Sequence, residues 1–406
     1  MAIQFLAPHR EESHLDEELR RLCATSSTPW PDDRLDEVGL VSREILHHPA
    51  LRADAPSVHL AYWLRPGNLR RIARQFAAPH LQREGVVAVP RGLVFHVAPA
   101  NVDTMFVYSW ALSYLCGNQN VVRLTSNLSP IMDGLLDCLR SVMAERPQLA
   151  DTNLFVTYPH QDAITEQISA DCQMRVIWGG DETIRRIRSV PLNPHAGERA
   201  FAGKTSLALV DAEHYVTCTD EEAEGLAASF FGDMFPFQQR ACSSPQMLVW
   251  RGDETTFQAA VERFDALLAA ECDRRSLRAD LSEAVNRRNL AFERMADGIA
   301  LAGTQTSTFT TLVADSCRCA ADFHGGGGLL THHRVDRWRD VADAIDRRVQ
   351  TVSCFGIDWR DKRELAETLG RLGVDRIVPV GEALQFEPIW DGYDLIGDFL
   401  SFVTVR

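Results

Sequence analysis

The spacing of hydrophobic and polar positions changes character near Gly85. Residues 1–75 are polar and helix-like, broken by Ser26-Ser27-Thr28-Pro29-Trp30-Pro31, and are expected to form an N-terminal appendage. Beyond Gly85 the apolar residues gather into short runs. Val86-Val87-Ala88-Val89, Leu93-Val94-Phe95-His96-Val97, Asn120-Val121-Val122-Arg123-Leu124, Phe155-Val156-Thr157-Tyr158 and Val176-Ile177-Trp178 have the length and β-branched content of strands. Between them, Met105 to Leu115, Pro130 to Met143 and Ala163 to Ala170 predict helices. Strands alternating with helices imply a parallel sheet covered on both faces, with ligands at the carboxyl ends of its strands.

A second α/β region begins at Thr205-Ser206-Leu207-Ala208-Leu209-Val210 and includes a charged helical stretch over about 254–297. Gly325 to Gly328 are four consecutive glycines, which predict a loop. Arg376-Ile377-Val378-Pro379-Val380 and Phe402-Val403-Thr404-Val405 are two further strand-like runs.

A chain of 406 residues is long enough for two or three domains. Its net charge of −14 argues against nucleic acid as a partner, because that binding rests on a basic footprint. An anionic ligand would need a local cluster, such as Arg70, Arg71 and Arg74 or Arg185, Arg186 and Arg188, although most such clusters are solvated helix faces. The ten cysteines are sparse and irregularly spaced, which fits reduced thiols in a cytoplasmic protein. The first residues lack the basic and apolar regions of a signal peptide, and Thr104 to Cys116 is too short to span a bilayer.

Cys242 stands apart from the other cysteines. It follows Phe235-Pro236-Phe237 and precedes Met247-Leu248-Val249-Trp250, a run with the character of a buried strand. Ala241, Ser243 and Ser244 leave room beside it, and a turn before a strand presents a thiol to a cleft, where a nucleophile belongs. The bland alternative is a small buried residue.

Three other signals fail on spacing. Gly203-Lys204-Thr205 lacks the first glycine of a phosphate loop, because Glu198 occupies that position. His324-Gly325-Gly326-Gly327 has no Gly-x-Ser-x-Gly elbow to accompany it. Cys317, Cys319, His324, His332 and His333 match none of the usual zinc spacings, so no metal is expected.

Three further segments support one another. Gly92 to Asn101 is a strand ending in Pro99-Ala100-Asn101, where an Asn amide is placed to donate to an oxyanion; Asn at a turn is otherwise a backbone device. Cys116 to Ser126 puts the Arg123 cation and Thr125 at a strand's end, near where a nucleotide ribose or its phosphate would lie. Val176 to Ile184 is a strand, a Gly179-Gly180 turn and a helix start with Thr183 in its first turn, and a helix N-terminus favours phosphate.

Taken in order, these segments resemble the aldehyde dehydrogenase superfamily, in which a Pro-x-Asn turn, a Gly-Asn…Val-Val-Lys strand, a Gly-Ser turn, a Leu-Gly-Gly-Lys stretch and a catalytic Cys follow one another. The closer resemblance is to the acyl-CoA reductase component of bacterial bioluminescence fatty-acid reductases. It is carried by Val94-Phe95-His96-Val97 with Asn101, Trp178 to Ile184, Ala241 to Gln246, Gly373 to Gly381 and Trp390-Asp391-Gly392. The resemblance implies a Rossmann-type cofactor domain joined to an α/β catalytic domain, with a helical N-terminal segment and small oligomerisation strands. The expected boundaries are 1–80 for the helical segment, 81–204 for an NADP-binding domain, 205–370 for the catalytic domain, and 371–406 for a segment returning to the cofactor or oligomerisation region.

The same resemblance makes Cys242 the nucleophile, with Asn101 and the Cys242 backbone N–H as the oxyanion hole. It assigns Arg123, Thr125, Gly179, Gly180 and Thr183 to NADPH. Arg123 stands where the wider family has a Lys that touches the ribose. One departure is informative. The family's Glu-Leu-Gly-Gly-Lys stretch is here Ala200-Phe201-Ala202-Gly203-Lys204, so Ala200 replaces the Glu that activates water in hydrolytic members. The implied activity is reduction of a fatty acyl thioester, from acyl-CoA or an acyl-carrier protein, to the aldehyde. Aldehyde oxidation, an acyltransferase relay through Cys242 and a non-catalytic subunit are the alternatives. A homo-oligomer, with an acyl-supplying partner enzyme, completes the expectation.

Overall fold

The apolar runs from Leu93 to Trp178 form the centre of a sheet in the computed structural model, which describes residues 3–9, 14–25, 27–159, 162–278, 280–314 and 325–406, whereas the run Val86 to Val89 lies in a separate two-stranded ribbon. Two units are present, Met1–Ala202 with Phe386–Arg406, and Gly203–Gln385. The first holds β1 (Gln4–Ala7), β2 (Val86–Pro90), β3 (Leu93–Val97), β4 (Gln119–Leu124), β5 (Asn153–Thr157), β6 (Met174–Trp178) and β7 (Gly197–Phe201). Its six-stranded sheet has the order β1-β5-β4-β3-β6-β7, parallel from β5 to β7. Every residue of β3, β4, β5 and β6 is buried, which is why these strands are continuous apolar runs without alternation.

The N-terminal residues are not an appendage. β1 pairs antiparallel with β5 and forms the edge of the sheet. The helix Asp32–His47 supplies Arg34, which donates to the carbonyl oxygens of Tyr114 at 2.6 Å and Asn118 at 3.0 Å. It also supplies Glu37, which accepts from the Tyr114 hydroxyl at 2.5 Å. The physical reason is the helix Met105–Leu115, buried at every position. A helix apolar all round needs cover on every side, and its polar atoms need partners.

Between the strands of this unit runs a buried polar chain. His96 Nδ1 lies 2.8 Å from the Ser109 hydroxyl, which also accepts from the Trp178 indole at 3.0 Å; His96 Nε2 lies 3.0 Å from Asn120 Oδ1. Burial pushes the imidazole down to about 4 from its ordinary 6.5, the Asn120 contact offsetting part of the shift. The unfolded chain therefore binds the proton more tightly. This contribution to stability is complete above pH 6.5 and is lost as the pH falls toward 4, by about 1.4 kcal/mol per pH unit. The difference in urea-unfolding free energy between the wild-type protein and His96→Gln should fall along this slope from pH 6.5 to 4.5.

The second unit holds β8 (Thr205–Asp211), β9 (Pro245–Arg251), β10 (Leu301–Gln305), β11 (Thr310–Val313), β12 (Leu329–Val335), β13 (Val349–Phe355) and β14 (Arg376–Pro379), in the order β10-β11-β12-β9-β8-β13-β14. Apart from the antiparallel edge pair β10–β11, this repeats the first sheet: third, second, first, fourth and fifth strand, all parallel. The charged stretch over 254–297 is two helices, Glu254–Arg274 and Leu281–Ala296. Ser276 takes a left-handed φ of 53° between them, and the Asp280 carboxylate caps the second by accepting from the Ser282 and Glu283 N–H groups.

The end of the chain rejoins the first unit. A short hairpin, β15 (Ile389–Trp390) and β16 (Tyr393–Asp394), is followed by β17 (Leu400–Thr404), which pairs antiparallel with β2. Among the described residues no helix is long and apolar enough to cross a membrane.

Candidate active site

Cys242 lies on a turn that leads into β9 in the second unit. The Ser244 N–H donates to Ala241 O at 3.0 Å and closes the turn. The Cys242 carbonyl accepts from the Ser206 hydroxyl of β8 at 2.7 Å, and that hydroxyl accepts from the Thr351 N–H of β13 at 3.1 Å. Two neighbouring strands thus hold the backbone of the cysteine while its side chain is half-buried. Cys116, Cys138, Cys172, Cys272 and Cys354 are buried, and burial raises each thiol pKa, against ready ionisation. Cys218 and Cys23 are more accessible, and their thiols are raised as well, chiefly by burial.

The approach to Cys242 is strained. Phe237, Gln238 and Gln239 have φ values of 54°, 55° and 61°, three consecutive non-glycine residues in the left-handed region. Each such residue costs on the order of 1–3 kcal/mol and persists only where its surroundings over-determine it. Phe237 is half-buried beside this turn, whereas Phe230 belongs to the core and half-buried Phe235 packs against it.

The other candidates lie in the first unit, at the carboxyl edge of its sheet. Asn101 is exposed on a bend after β3, and the Ala98 N–H donates to Arg123 O at 3.0 Å, tying that loop to β4. Arg123 is buried at the end of β4, its guanidinium 4.5 Å from the centroid of the Tyr158 ring. Burial lowers its pKa, and the positive charge of Arg186 pushes the same way while Tyr158 opposes. Of the three arginines in the Arg185 cluster, Arg185 pairs with Glu182 at 2.5 Å and Arg188 with Glu198 at 2.9 Å. Arg186 differs, since its Nε is buried without a hydrogen-bond partner. Thr125 is half-buried one residue beyond β4.

Gly179 and Gly180 close β6. A side chain at Gly179 would press on Thr183, with a Cβ 3.1 Å from its methyl group, while a Cβ at Gly180 would meet nothing within 4 Å. Gly180 precedes the helix Asp181–Ser189, whose first turn carries Asp181 and Glu182 and has no side-chain cap. Those carboxylates oppose a phosphate over this helix, contrary to the expectation from its N-terminus alone. Cations near this edge include Arg123 and Arg186.

Ala200 sits in β7 opposite Ile177, and Glu198 points away into an ion-pair cluster, accepting from Arg175 Nε at 2.8 Å and Arg188 Nε at 2.9 Å. Lys204 pairs with Asp375 in the second unit. His332 is buried in β12, between the Trp250 indole at 3.0 Å and Asp265 at 3.0 Å. His333 is buried in the same strand, and Cys317, Cys319 and His324 lie outside the described residues.

Sequence reasoning passed over Gln239 and Gln246. Both are fully or almost fully buried, and each bonds to the loop Gly325–Gly328. Their spacing to either side of Cys242 is the only local signal, because the partners lie 79 to 90 residues further along.

The acyl-CoA reductase (LuxC) family profile matches residues 72–401. Solved structures share the fold over nearly the whole chain. A lactaldehyde dehydrogenase has a TM-score of 0.68 at 12% identity, covering 96% of this chain and 90% of its own. Aldehyde dehydrogenase 21 from Physcomitrella patens, in complex with its reaction product succinate, has a TM-score of 0.65 at 14% identity, covering 96% and 89%. An NAD-dependent benzaldehyde dehydrogenase from Corynebacterium glutamicum has a TM-score of 0.61 at 12% identity, covering 96% and 88%. The fold is therefore that of the aldehyde dehydrogenases. No curated protein matches the chain by sequence.

Proposed function

The chain belongs to the acyl-CoA reductase (LuxC) family of oxidoreductases, and from that premise we propose that it reduces a fatty acyl thioester to the aldehyde through an S-acyl Cys242. The observation that carries the reading is the half-buried Cys242 on its held turn, inside the matched span. The Cys242 thiolate attacks the thioester carbonyl carbon, a new C–S bond forms, and the carrier thiolate leaves. The amide of Asn101 and the Cys242 N–H are the donors proposed for the oxyanion of that step. A reduced nicotinamide, when bound, supplies a hydride to the acyl carbon. The resulting thiohemiacetal collapses, Cys242 recovers its thiolate, and the aldehyde departs.

Alanine at position 200 and the pairing of Glu198 with Arg175 and Arg188 both support reduction over hydrolysis, since neither residue is placed to activate water. Half-buried Phe235 and Phe237 supply apolar surface for an acyl chain. Oxidation of NADPH against a panel of acyl-CoAs and acyl-carrier proteins, with the aldehyde trapped, tests the activity and identifies the donor. An acyl-supplying enzyme in the same cytoplasm would be its working partner.

The choice of NADPH rests on the buried Arg123 and the unpaired Nε of Arg186, two guanidiniums whose repulsion a 2′-phosphate would relieve. Arg123→Ala and Arg186→Ala should each weaken NADPH by about tenfold or more and leave NADH within about threefold. Equal weakening of both nucleotides would remove the phosphate role. Self-association is proposed through the β2–β17 ribbon, which exposes Val87, Phe402 and Val403.

A further inference from the structure

We propose that Gln239, Gln246 and the loop Gly325–Gly328 form a clasp that positions the Cys242 thiol and its backbone N–H for attack. The proposal rests on Cys242 being the nucleophile. All four glycine N–H groups are committed to the segment carrying Cys242. Gly325 and Gly326 donate to Gln246 Oε1 at 3.3 and 3.1 Å, Gly327 donates to Gln238 O at 2.9 Å, and Gly328 donates to Gln239 Oε1 at 3.0 Å. The glycine loop is therefore no oxyanion hole of its own, because its donors are already used.

The amide nitrogens complete the circuit. Gln246 Nε2 donates to Gln239 O at 2.8 Å, and Gln239 Nε2 donates to Pro245 O at 2.8 Å and Leu329 O at 3.0 Å. The two glutamines lie three residues before and four residues after Cys242. The clasp therefore brackets the turn and holds the three left-handed residues that lead into it.

Glycine is required on the far side. Gly326, Gly327 and Gly328 have φ values of 65°, 61° and 89°. A Cβ at Gly328 would stand 2.6 Å from the Thr308 carbonyl oxygen, a backbone atom that cannot swing aside. The Arg287 guanidinium fastens the loop from behind, donating to Gly327 O at 2.6 Å and Thr308 O at 3.0 Å. Fully hydrogen-bonded buried networks of this kind rigidify what they hold, and displacing a nucleophile by about 1 Å lowers reaction rates by about 100-fold.

Gln246→Glu and Gln246→Leu test the clasp, with acylation of Cys242 by acyl-CoA followed in single turnover and each rate divided by the wild-type rate at the same pH. In the Gln246→Glu variant the protonated carboxyl, like the native amide, donates through O–H and accepts through C=O; the ionised carboxylate cannot donate to Gln239 O. The expected result for Gln246→Glu is a ratio near one at low pH that falls about 100-fold as the carboxyl ionises, with KM for acyl-CoA within about threefold. Gln246→Leu should be low at every pH. A folded Gln246→Leu that acylates at near the wild-type rate overturns the clasp, and so does a Gln246→Glu ratio that stays near one at a pH where the introduced carboxyl is ionised, which settles the matter should Gln246→Leu prove insoluble. Absence of acylation in the wild-type protein would instead strike the nucleophile itself.

Discussion

Replacing Cys242 with alanine should abolish aldehyde formation, lowering the rate by at least about three orders of magnitude while the protein stays folded and still binds nicotinamide nucleotide. Removing a covalent nucleophile leaves the oxyanion donors and binding contacts but no acceptor for the acyl group. The thiol is half-buried on a surface turn, so the substitution opens no cavity in the core. The turn is fixed through its backbone, by the Cys242 carbonyl on Ser206 and the Ser244 N–H on Ala241, and these bonds survive the change. The loss should fall on kcat, checked by NADPH oxidation with unchanged urea unfolding. Near wild-type turnover in Cys242→Ala would make the covalent route wrong.

Arg175→Ala has the largest expected effect on stability, about 3–5 kcal/mol. The guanidinium is almost fully buried and donates to Glu198 at 2.5 and 2.8 Å, to the Ser169 hydroxyl at 3.1 Å and to Val190 O at 3.1 Å. Truncation strands these acceptors, with Arg188 alone left on Glu198. A drop in the urea midpoint reads the effect. The companion variant separates structure from chemistry. Glu198→Gln should lower stability but keep the reductase rate within about threefold, because its carboxylate serves the ion-pair cluster. A large loss of activity at unchanged stability would restore Glu198 as a catalytic base.

The first sheet was legible because its central strands are buried on both faces. The helix predicted at Met105 to Leu115 has those bounds, and Val176 to Trp178 falls inside β6. β1 was missed since Gln4–Ala7 is only four residues long, and its reason for being ordered is β5, some 150 residues away. β12 was missed for a different reason. Leu329–Val335 includes two histidines and a threonine, a polar reading that holds only until His332 meets Asp265 and Trp250. The break near Ser276 depends on a local cap at Asp280 inside an otherwise uniform charged run.

The candidate site could be proposed from sequence only in part. Cys242 could be singled out from its neighbours, and Arg123 from its place at a strand's end. That Arg123 is buried under Tyr158, and that the Nε of Arg186 is buried without a hydrogen-bond partner while Arg185 and Arg188 form exposed ion pairs, depends on tertiary packing. The clasp is invisible in sequence because Gln239 and Gln246 become meaningful only when Gly325–Gly328 lies against them.

The central claim is tested most directly by the mass of the protein after incubation with a long-chain acyl-CoA in the absence of NADPH. The account predicts one added acyl group, located on the peptide containing Cys242, absent from Cys242→Ala, and released as aldehyde when NADPH is added. An adduct on another residue, or none at all with a donor that the enzyme demonstrably reduces, would contradict it.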